Sequence, residues 1–380
     1  MPLAIGLMSG TSCDGVSAAL ADIRGRRVRV LAHRTDPYPR AFAERLRNAA
    51  RLTAPALSAL HMELGERFAA AAVTLLRRAR VRPSRVAVIG SHGHTVYHGP
   101  RDGSPSTLQL GAAAVIAERT GIDVAGDFRA RDMAAGGEGA PLVPWFDEAV
   151  FGGGRVRALQ NLGGIANVTL VGGGIRTLAF DTGPGNCLLD LAVQRATRGR
   201  MRCDLSGTLA AQGAIDARAV RRLAAHPYFR RRPPKSTGRE LFNDAFLSRA
   251  RPLPRALPDL LATLTCFTAL SIADSYRRFL RPYPEEVIVS GGGVRNRALM
   301  AHLGAMLAPA AVRPIDAYGI PAQAKEPAAF ALLALRALQR DVNHLPRTTG
   351  ARRACVLGSV TPGRHASFGA RGEGRGVGAA

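Results

Sequence analysis

The sequence predicts an α/β protein made of two copies of one unit, and three observations support this fold class. The chain has 380 residues, whereas single cores usually stop growing near about 250 residues. Each half opens with three short apolar runs joined by glycine-rich turns, which is typical of a strand meander. Helical and buried-strand patterns alternate after each meander. We therefore predict two α/β domains, 1–150 and 151–362, with a cleft between them.

In the first half of the chain, local sequence patterns predict each strand and helix in turn. Strands are predicted at 3–8, 16–23 and 28–33. The helix that follows has an apolar residue at every third or fourth position, which produces one stripe. The stripe consists of Leu57, Leu60, Leu64, Phe68, Ala71 and Leu75. The half is completed by a buried strand, a helix and a short strand, predicted at 86–90, 112–119 and 123–125.

The second half repeats this order. Its meander strands are predicted at 156–162, 165–171 and 175–181. Further elements are predicted as helix 260–280, strand 287–290, helix 297–307, strand 311–315 and helix 328–338. The polar, proline-broken segment 230–240 is predicted to be a loop and a candidate functional one. The Gly/Arg-rich segment 366–380 is predicted to be disordered, within a tail that we begin at 363.

Composition restricts the class of protein. Hydrophobic residues make up 47 % and charged residues 21 %, which excludes a wholly disordered chain. We find no run of 18 apolar residues and no basic segment before the first apolar run, so we expect neither a membrane span nor a signal peptide. The five cysteines are scattered, odd in number and never spaced C-x-x-C. We therefore expect a cytoplasmic protein without a disulfide framework or a cysteine-rich zinc site.

The net charge of +24 leaves a different function class open. It arises from 52 Lys and Arg residues against 28 Asp and Glu residues, which is the usual footprint of a nucleic-acid binder. However, Lys235 and Lys325 are the only lysines, the arginines are spread along the chain, and no RNA-binding signature occurs. We favour a basic surface that attracts small anions and expect no nucleic-acid partner.

The segment SGTSCDG, at 9–15, joins the first two predicted strands. Its glycines let the backbone approach a ligand, and its N–H groups and hydroxyls suit phosphate oxygens. Asp14 adds a carboxylate that suits a metal ion. The alternative is an ordinary hairpin turn, because Asp-Gly is a common turn signal.

Three further glycine turns lie in the second half, NLGGIAN at 161–167, DTGPGN at 181–186 and SGGGVRN at 290–296. Asp181 ends a predicted strand, at the sheet edge where a carboxylate serves as a general base or a metal ligand. The alternative is that Asp181 only caps the next helix. The three glycines of the last turn suit a flat ring or a ribose lying on backbone. Neither G-x-x-x-x-G-K-[ST] nor G-x-G-x-x-G is present, so nucleotide phosphates would depend on backbone turns and Mg²⁺.

Two segments of the first half carry histidines and arginines. His92, His94 and His98 fall within seven residues, a density that raises the question of a metal site. Because Gly93 indicates a turn, we prefer a ligand-contacting loop. Segment 127–132 alternates acids and arginines. These residues form surface ion pairs, or their guanidinium groups bind a carboxylate or phosphate.

Taken together, these segments resemble the anhydro-N-acetylmuramic acid kinase family from about residue 3 to about 360. The motifs that carry the resemblance are IGLMSGTSCDGVSAAL, GSHGHTVYH, TLQLGAAAVIAERTGIDVAGDFRARDMAAGGEGAPLVP, LQNLGGIANVTL, FDTGPGNCLLD, HPYFRRRPPKSTGRELFN and VIVSGGGVRN. The resemblance implies two RNase-H-like domains of the actin, sugar kinase and Hsp70 fold. It also implies use of ATP and Mg²⁺, an amino-sugar substrate and a homodimer. Its activity would be hydrolytic opening of the anhydro sugar with phosphorylation of O6.

The resemblance also assigns roles to residues. Asp181 matches the catalytic base, and Asp14 would face the metal ion. The ATP phosphate loop corresponds to Gly10, Thr11, Ser12, Cys13, Asp14, Gly15, Val16 and Ser17. Further nucleotide contacts are assigned to Gly163, Gly164, Gly291, Gly292, Gly293 and Asn296. Sugar contacts are assigned to His92, Arg129, Arg131 and Glu326.

The chain departs from the expected pattern at Cys13, Ser17, His94, Glu138, Gln323 and Pro327. Glu138 adds negative charge in the sugar-side segment, where the substrate carries a carboxylate. Pro327 is tolerated in a first helical turn, so it should displace Glu326 only slightly. We expect activity to be retained, with a substrate preference that these positions adjust. A kinase of another sugar, or of a carboxylate, on the same fold is the alternative.

Overall fold

The computed structural model describes residues 2–10 and 12–364, and these form two compact units. Unit 1 contains the described residues up to Phe146 and from Glu326 onward, and unit 2 contains Asp147–Lys325. The sequence-based boundary near 150 is close to this division. Residues 326–362, which we assigned to the second domain, belong instead to unit 1. The predicted disordered segment, 366–380, lies outside the described residues.

The elements, numbered along the chain, are as follows. The strands are β1 (Leu3–Ser9), β2 (Gly15–Arg24), β3 (Arg27–Pro37), β4 (Val86–Gly99), β5 (Ser106–Leu110), β6 (Val124–Gly126), β7 (Arg157–Leu162), β8 (Ile165–Val171), β9 (Leu178–Pro184), β10 (Glu286–Ser290), β11 (Ala311–Pro314) and β12 (Ser359–Thr361). The α-helices are α1 (Arg40–Arg47), α2 (Ala54–Ala79), α3 (Ala113–Thr120), α4 (Phe128–Ala134), α5 (Val143–Phe151), α6 (Cys187–Ala196), α7 (Ala217–Ala224), α8 (Asp244–Arg249), α9 (Leu257–Phe279), α10 (Arg297–Met306), α11 (Lys325–Leu338) and α12 (Pro346–Thr349).

The two sheets share one topology. In unit 1 the order is β12-β6-β4-β1-β2-β3, with β5 paired to β4, and in unit 2 it is β11-β10-β7-β8-β9. Each meander is antiparallel, and its first strand is parallel to the next strand along the sheet. Counted within each unit, with the off-path strand β5 left out of the count, both sheets contain the strand order 3-2-1-4-5 of an RNase-H-like fold. The predicted duplicated α/β architecture is confirmed.

Helix α2 covers the meander of unit 1. Of the predicted stripe, Leu60, Leu64 and Phe68 are fully buried, and they join the core cluster that contains Ile5 and Leu20 of the sheet. Burial of such side chains stabilises a fold by about 1.5–3 kcal/mol each. The hydrophobic period of 3.6 residues is therefore sufficient to orient this helix.

Helix α11 explains why the C-terminal segment belongs to unit 1. A Cβ atom on Gly6 of β1 would overlap the carbonyl of Pro327, and one on Gly90 of β4 would overlap the carbonyl of Phe330. The backbone of α11 therefore packs directly on two central strands, at positions where only glycine fits. Pro327 lies in the first turn of α11, as predicted.

Helix α9 is the central core helix of unit 2. Its length and mean hydropathy of 1.3 would suffice for a membrane span, although 67 % of its most apolar window is buried inside the protein. Phe267, Ile272 and Tyr276 have no exposed surface and pack in the two apolar clusters of the unit. Its apolar character is therefore accounted for by the core.

Candidate active site

The turn between β1 and β2 is closed by its own backbone. The Cys13 N–H donates to the Gly10 carbonyl at 3.0 Å, and the Asp14 carbonyl accepts from the Tyr38 N–H at 3.1 Å. The side chains of Ser12 and Asp14 are exposed. Thr11, assigned to the same loop, lies outside the described residues. Ser12 and Asp14 therefore present a hydroxyl and a carboxylate to solvent.

Not all residues of the predicted phosphate loop expose their side chains. Cys13 is 3 % exposed and Val16 is 1 % exposed, and both belong to the core of unit 1. Gly15 is also buried, and the Ser17 hydroxyl pairs with Thr35 Oγ1 at 3.1 Å. For Cys13 and Val16, only backbone groups remain for a ligand.

The predicted turn at Gly93 is instead a bulge within a long strand. β4 continues to Gly99, and its pairing with β1 shifts between the pairs Leu7–Ser91 and Ser9–His94. Regular alternation would place His92 and His94, two residues apart, on one face of the strand. The extra residue breaks that alternation, and both side chains are buried. His94 contacts Ser9 Oγ through Nδ1 at 3.1 Å and Cys13 Sγ through Nε2 at 3.9 Å. His94 therefore joins β4 to the candidate phosphate loop.

The histidines do not form a metal centre. Among residues 2–10 and 12–364, no group of three His, Cys, Asp or Glu residues has the geometry to hold a metal ion. His98 Nδ1 pairs with Thr107 Oγ1 at 3.1 Å, and His92 and His94 have protein partners of their own. This geometry gives no support to the metal alternative.

Buried His92 and half-buried Arg129 form one polar pair. The His92 Nδ1–H donates to the Gly93 carbonyl at 3.1 Å, and Nε2 accepts from Arg129 Nη2 at 2.9 Å. A carbonyl only accepts and a guanidinium only donates, so these partners define a neutral imidazole protonated on Nδ1. Burial, reinforced by Arg129, lowers the pKa of His92 to about 3. The imidazole is therefore a neutral acceptor that orients a cation.

In the part of the chain that the structure describes, Arg129 forms no direct ion pair with a carboxylate. Its Nη1 donates to the Gly139 carbonyl at 2.7 Å. Burial lowers the pKa of Arg129 to about 10, while the charges of Glu326 and Asp132 oppose this change. Arg129 is therefore cationic at neutral pH and suited to attract a carboxylate.

Arg131, Glu326 and Glu138 are arranged differently. Arg131 is exposed, and because residues two apart on a helix do not share a face, it lies away from Arg129 on α4. Glu326 is exposed at the start of α11, near enough to act on Arg129 electrostatically. The charge of Glu138 is paired with Arg101 at 2.7 Å on the surface.

A buried network that the sequence analysis missed supports the Arg129 site. Asp132 accepts from His344 Nδ1 at 2.8 Å, from the Thr349 hydroxyl at 2.7 Å and from the Gly139 N–H at 2.7 Å. Burial alone would raise the pKa of Asp132, but these hydrogen bonds outweigh it and lower the pKa. The same glycine whose carbonyl receives Arg129 is thus fixed through Asp132. His344 is 212 positions away in sequence, so no local pattern could have identified it.

In unit 2, Asp181 lies inside a strand and not after one. β9 continues through Pro184, and its pairing with β8 shifts between Ala166 and Asn167. The residue that precedes α6 is Asn186, so Asp181 does not cap that helix. The alternative role of a helix cap is therefore wrong, and the predicted strand 175–181 is observed three residues further along.

Three hydrogen bonds hold Asp181. Its N–H donates to the Lys235 carbonyl at 3.1 Å, and its carbonyl accepts from the Tyr228 hydroxyl at 2.7 Å. Its Oδ2 accepts from the Thr237 N–H at 2.9 Å. The segment 230–240, predicted as a functional loop, thus holds the aspartate through two backbone groups, the Lys235 carbonyl and the Thr237 N–H. No sequence motif specifies these backbone contacts.

Burial raises the pKa of Asp181 to about 6. The Thr237 N–H and the charge of Lys235 oppose this rise, and the charge of Glu240 adds to it. A carboxyl with this pKa is ionised at neutral pH and more basic than an ordinary aspartate. These are the properties of a general base.

The turn of Gly163 and Gly164 is joined to the end of β9. The Gly163 carbonyl accepts from the Asn186 N–H at 2.8 Å, and the Gly164 carbonyl accepts from the Gly185 N–H at 2.9 Å. A Cβ on Gly185 would overlap the Gly163 carbonyl. These glycines therefore have a clear packing role, and their nucleotide contact stays a prediction.

The turn after β10 has one open position. Gly291 has φ +86°, and a Cβ there would press on Asn161 and Leu162, while a Cβ on Gly293 would press on Leu162. Gly292 has open space on its Cβ side. Asn296 caps α10, because its Oδ1 accepts from the Leu299 N–H at 3.0 Å. The flat open face at Gly292 is compatible with the predicted adenosine contact.

The comparisons with known proteins agree with this geometry. A sequence family described as "Anhydro-N-acetylmuramic acid kinase" matches residues 2–363. A protein of that name from Gloeobacter violaceus is 46 % identical, covering 95 % of this chain and 98 % of its own length. One from Bordetella pertussis is 46 % identical over 95 % and 96 % of the two chains. One from Streptomyces coelicolor is 43 % identical over 95 % and 94 %.

Proposed function

Because this chain belongs to the anhydro-N-acetylmuramic acid kinase family, we propose that it opens 1,6-anhydro-N-acetylmuramic acid with water and phosphorylates O6 at the expense of ATP. The product is N-acetylmuramic acid 6-phosphate, and the reaction belongs to peptidoglycan recycling. The observation that carries the proposal is the held, partly buried carboxyl of Asp181, whose pKa of about 6 suits a base at neutral pH.

Asp181 activates the water. Its Oδ2 is occupied by the Thr237 N–H, and no hydrogen bond to Oδ1 is formed by the described residues. Oδ1 therefore takes the proton as the water oxygen bonds to the anomeric carbon C1. The bond from C1 to O6 breaks, and O6 bonds to the γ-phosphorus as the bond to ADP breaks. The phosphoryl group replaces the proton that an inverting glycosidase supplies to its leaving oxygen.

The loop after β1 supports the phosphate role. The hydrogen bond from the Cys13 N–H to the Gly10 carbonyl closes the loop, and the exposed Ser12 and Asp14 side chains suit phosphate oxygens and their counter-ion. Mg²⁺ usually retains several waters and uses one or two carboxylates beside substrate phosphates. The single carboxylate of Asp14 fits that requirement. Mg²⁺ would neutralise phosphate charge there, and Gly292 offers open backbone for the adenosine.

Arg129 supports recognition of the sugar. The substrate carries a lactyl carboxylate, and Arg129 is a half-buried cation whose orientation is set by neutral His92 and the Gly139 carbonyl. The exposed Arg131 and Glu326 are assigned secondary contacts. From the family resemblance alone, we also propose that the protein is a cytoplasmic homodimer. Sedimentation analysis would test the dimer.

The test is mass spectrometry of the products formed from the anhydro sugar and ATP in ¹⁸O-labelled water. We expect one ¹⁸O atom at C1 and an unlabelled phosphate on O6. A panel of other sugars, assayed through ADP release, should give much lower kcat/KM values. Equal use of an ordinary hexose, or label in the phosphate, would contradict the proposed reaction.

A further inference from the structure

Lys235 is a buried ammonium in an unusual setting. It is 5 % exposed, and its Nζ has no hydrogen-bond partner among the described residues. Aromatic rings surround it, since Nζ lies 4.7 Å from the ring centre of Tyr228, 4.9 Å from Phe279 and 5.7 Å from Phe180. The electron-rich faces of aromatic rings attract a desolvated cation. We call these three rings the aromatic cage.

Composition indicates that position 235 specifically requires lysine. Only two of the 52 Lys and Arg residues are lysines, and both are buried, Lys235 at 5 % and Lys325 at 4 %. Elsewhere this chain uses arginine for positive charge. Arginine carries a planar fork, whereas the lysine ammonium is compact and fits a closed cage.

The cage is directly connected to Asp181. Tyr228 forms one wall and also donates its hydroxyl to the Asp181 carbonyl at 2.7 Å. The Lys235 carbonyl accepts from the Asp181 N–H, and Thr237, two residues on, donates to Oδ2. Anchoring the side chain of Lys235 therefore fixes both backbone groups that hold the aspartate.

The charges around Lys235 are mixed. Burial, together with the charges of Arg231 and Arg278, lowers the pKa of Lys235 to about 8, while the charge of Asp181 opposes this change. Asp181 in turn faces the opposing charges of Lys235 and Glu240. At neutral pH, Lys235 is still mainly cationic, and its charge favours the ionised form of the aspartate.

We propose that Lys235 is a positioning residue for Asp181. Its caged ammonium anchors the segment that holds Asp181, and its charge keeps the carboxylate ionised at neutral pH. This inference rests on the proposed function, in which Asp181 is the base.

The first test is the pH profile of kcat/KM for the anhydro sugar in Lys235→Met. Methionine retains the apolar stem and removes the charge. An opposite charge nearby shifts a carboxyl pKa by about 1–3 units, so the acid limb should move upward by about one unit. We expect about tenfold lower kcat/KM at pH 5.5 and less than about twofold change at pH 8.5. A residue that only supports the fold would lower both values equally.

Two variants complete the design. Lys235→Arg keeps the charge, so its acid limb should stay within about 0.3 units of wild type even if kcat falls. Arg278→Gln removes an exposed charge beside the cage, and its limb should also stay in place. Circular dichroism and thermal melting establish whether each variant is folded. If Lys235→Met does not fold, Lys235→Arg decides, and an upward shift of its limb would overturn the proposal.

The failure of this inference is distinguishable from failure of the proposed function. An unmoved limb in folded Lys235→Met, with Asp181→Asn inactive, overturns only the role of Lys235. High turnover by Asp181→Asn overturns the base assignment on which that role rests.

Discussion

Lys235 and Lys325 are both buried in unit 2, but their charges are balanced in different ways. The Nζ of Lys325 lies 2.8 Å and 3.1 Å from the two carboxyl oxygens of Asp147, which is itself 1 % exposed. Lys235 has aromatic rings around it, and no carboxylate pairs with its Nζ among residues 2–10 and 12–364. The first lysine completes a closed ion pair, whereas the field of the second extends to Asp181. The difference separates a residue that serves stability from one that serves chemistry.

The largest expected effect concerns Asp181, the group on which the field of Lys235 acts. Asp181→Asn removes the proposed base and keeps an oxygen for the Thr237 N–H. General-base catalysis contributes about 10²- to 10⁴-fold, so turnover should fall by about that amount with ATP affinity unchanged. Steady-state kinetics and nucleotide titration measure both quantities. Turnover within a few fold of wild type would remove Asp181 from the mechanism.

The next largest effect concerns the ion pair between Lys325 and Asp147. Lys325→Met leaves the carboxylate of Asp147 buried without its cation and should lower the free energy of unfolding by about 3–5 kcal/mol. Replacing both partners, Asp147→Leu with Lys325→Met, should restore most of the loss. Lys235→Met should change the free energy by no more than about 1 kcal/mol. Urea unfolding compares the three, and equal losses for the two lysine variants would erase the distinction.

A smaller effect follows from the pKa of Asp181. Because burial raises this pKa to about 6 from 3.8, ionisation opposes folding, and wild type loses stability as the pH rises from about 4 through 6. The full shift corresponds to about 3 kcal/mol. Asp181→Asn should therefore be more stable than wild type at pH 8, by up to that amount, and equal to it near pH 4. Melting curves across this range check the sign, and a less stable variant at pH 8 would contradict it.

The smallest effect concerns Glu138, an exposed acid paired with Arg101. Exposed ion pairs contribute about 0–1 kcal/mol. Glu138→Gln should therefore leave the melting temperature nearly unchanged and alter KM for the sugar by less than about threefold. A large fall in KM would show that Glu138 repels the substrate carboxylate.

The sequence predicted the repeated meanders and the α2 stripe because both depend on local periodicity. It did not predict that α11 belongs to unit 1, since the decisive contacts at Gly6 and Gly90 are long-range. Thr-Gly-Pro at 182–184 has the composition of a strand breaker, although β9 continues through it. Likewise, the polar surroundings of Lys235 in sequence gave no sign of its burial. Residues that act through backbone groups, such as Thr237, have no signature to find.

Unit 2 interrupts unit 1 in the order of synthesis. The packing of α11 on β1 and β4 is completed only by residues after Lys325, whereas every residue of unit 2 has been translated by then. On the ribosome, the inserted unit can therefore acquire its native core while the surrounding one still lacks a helix. Until that helix emerges, the glycine faces of two central strands stay uncovered on the nascent chain.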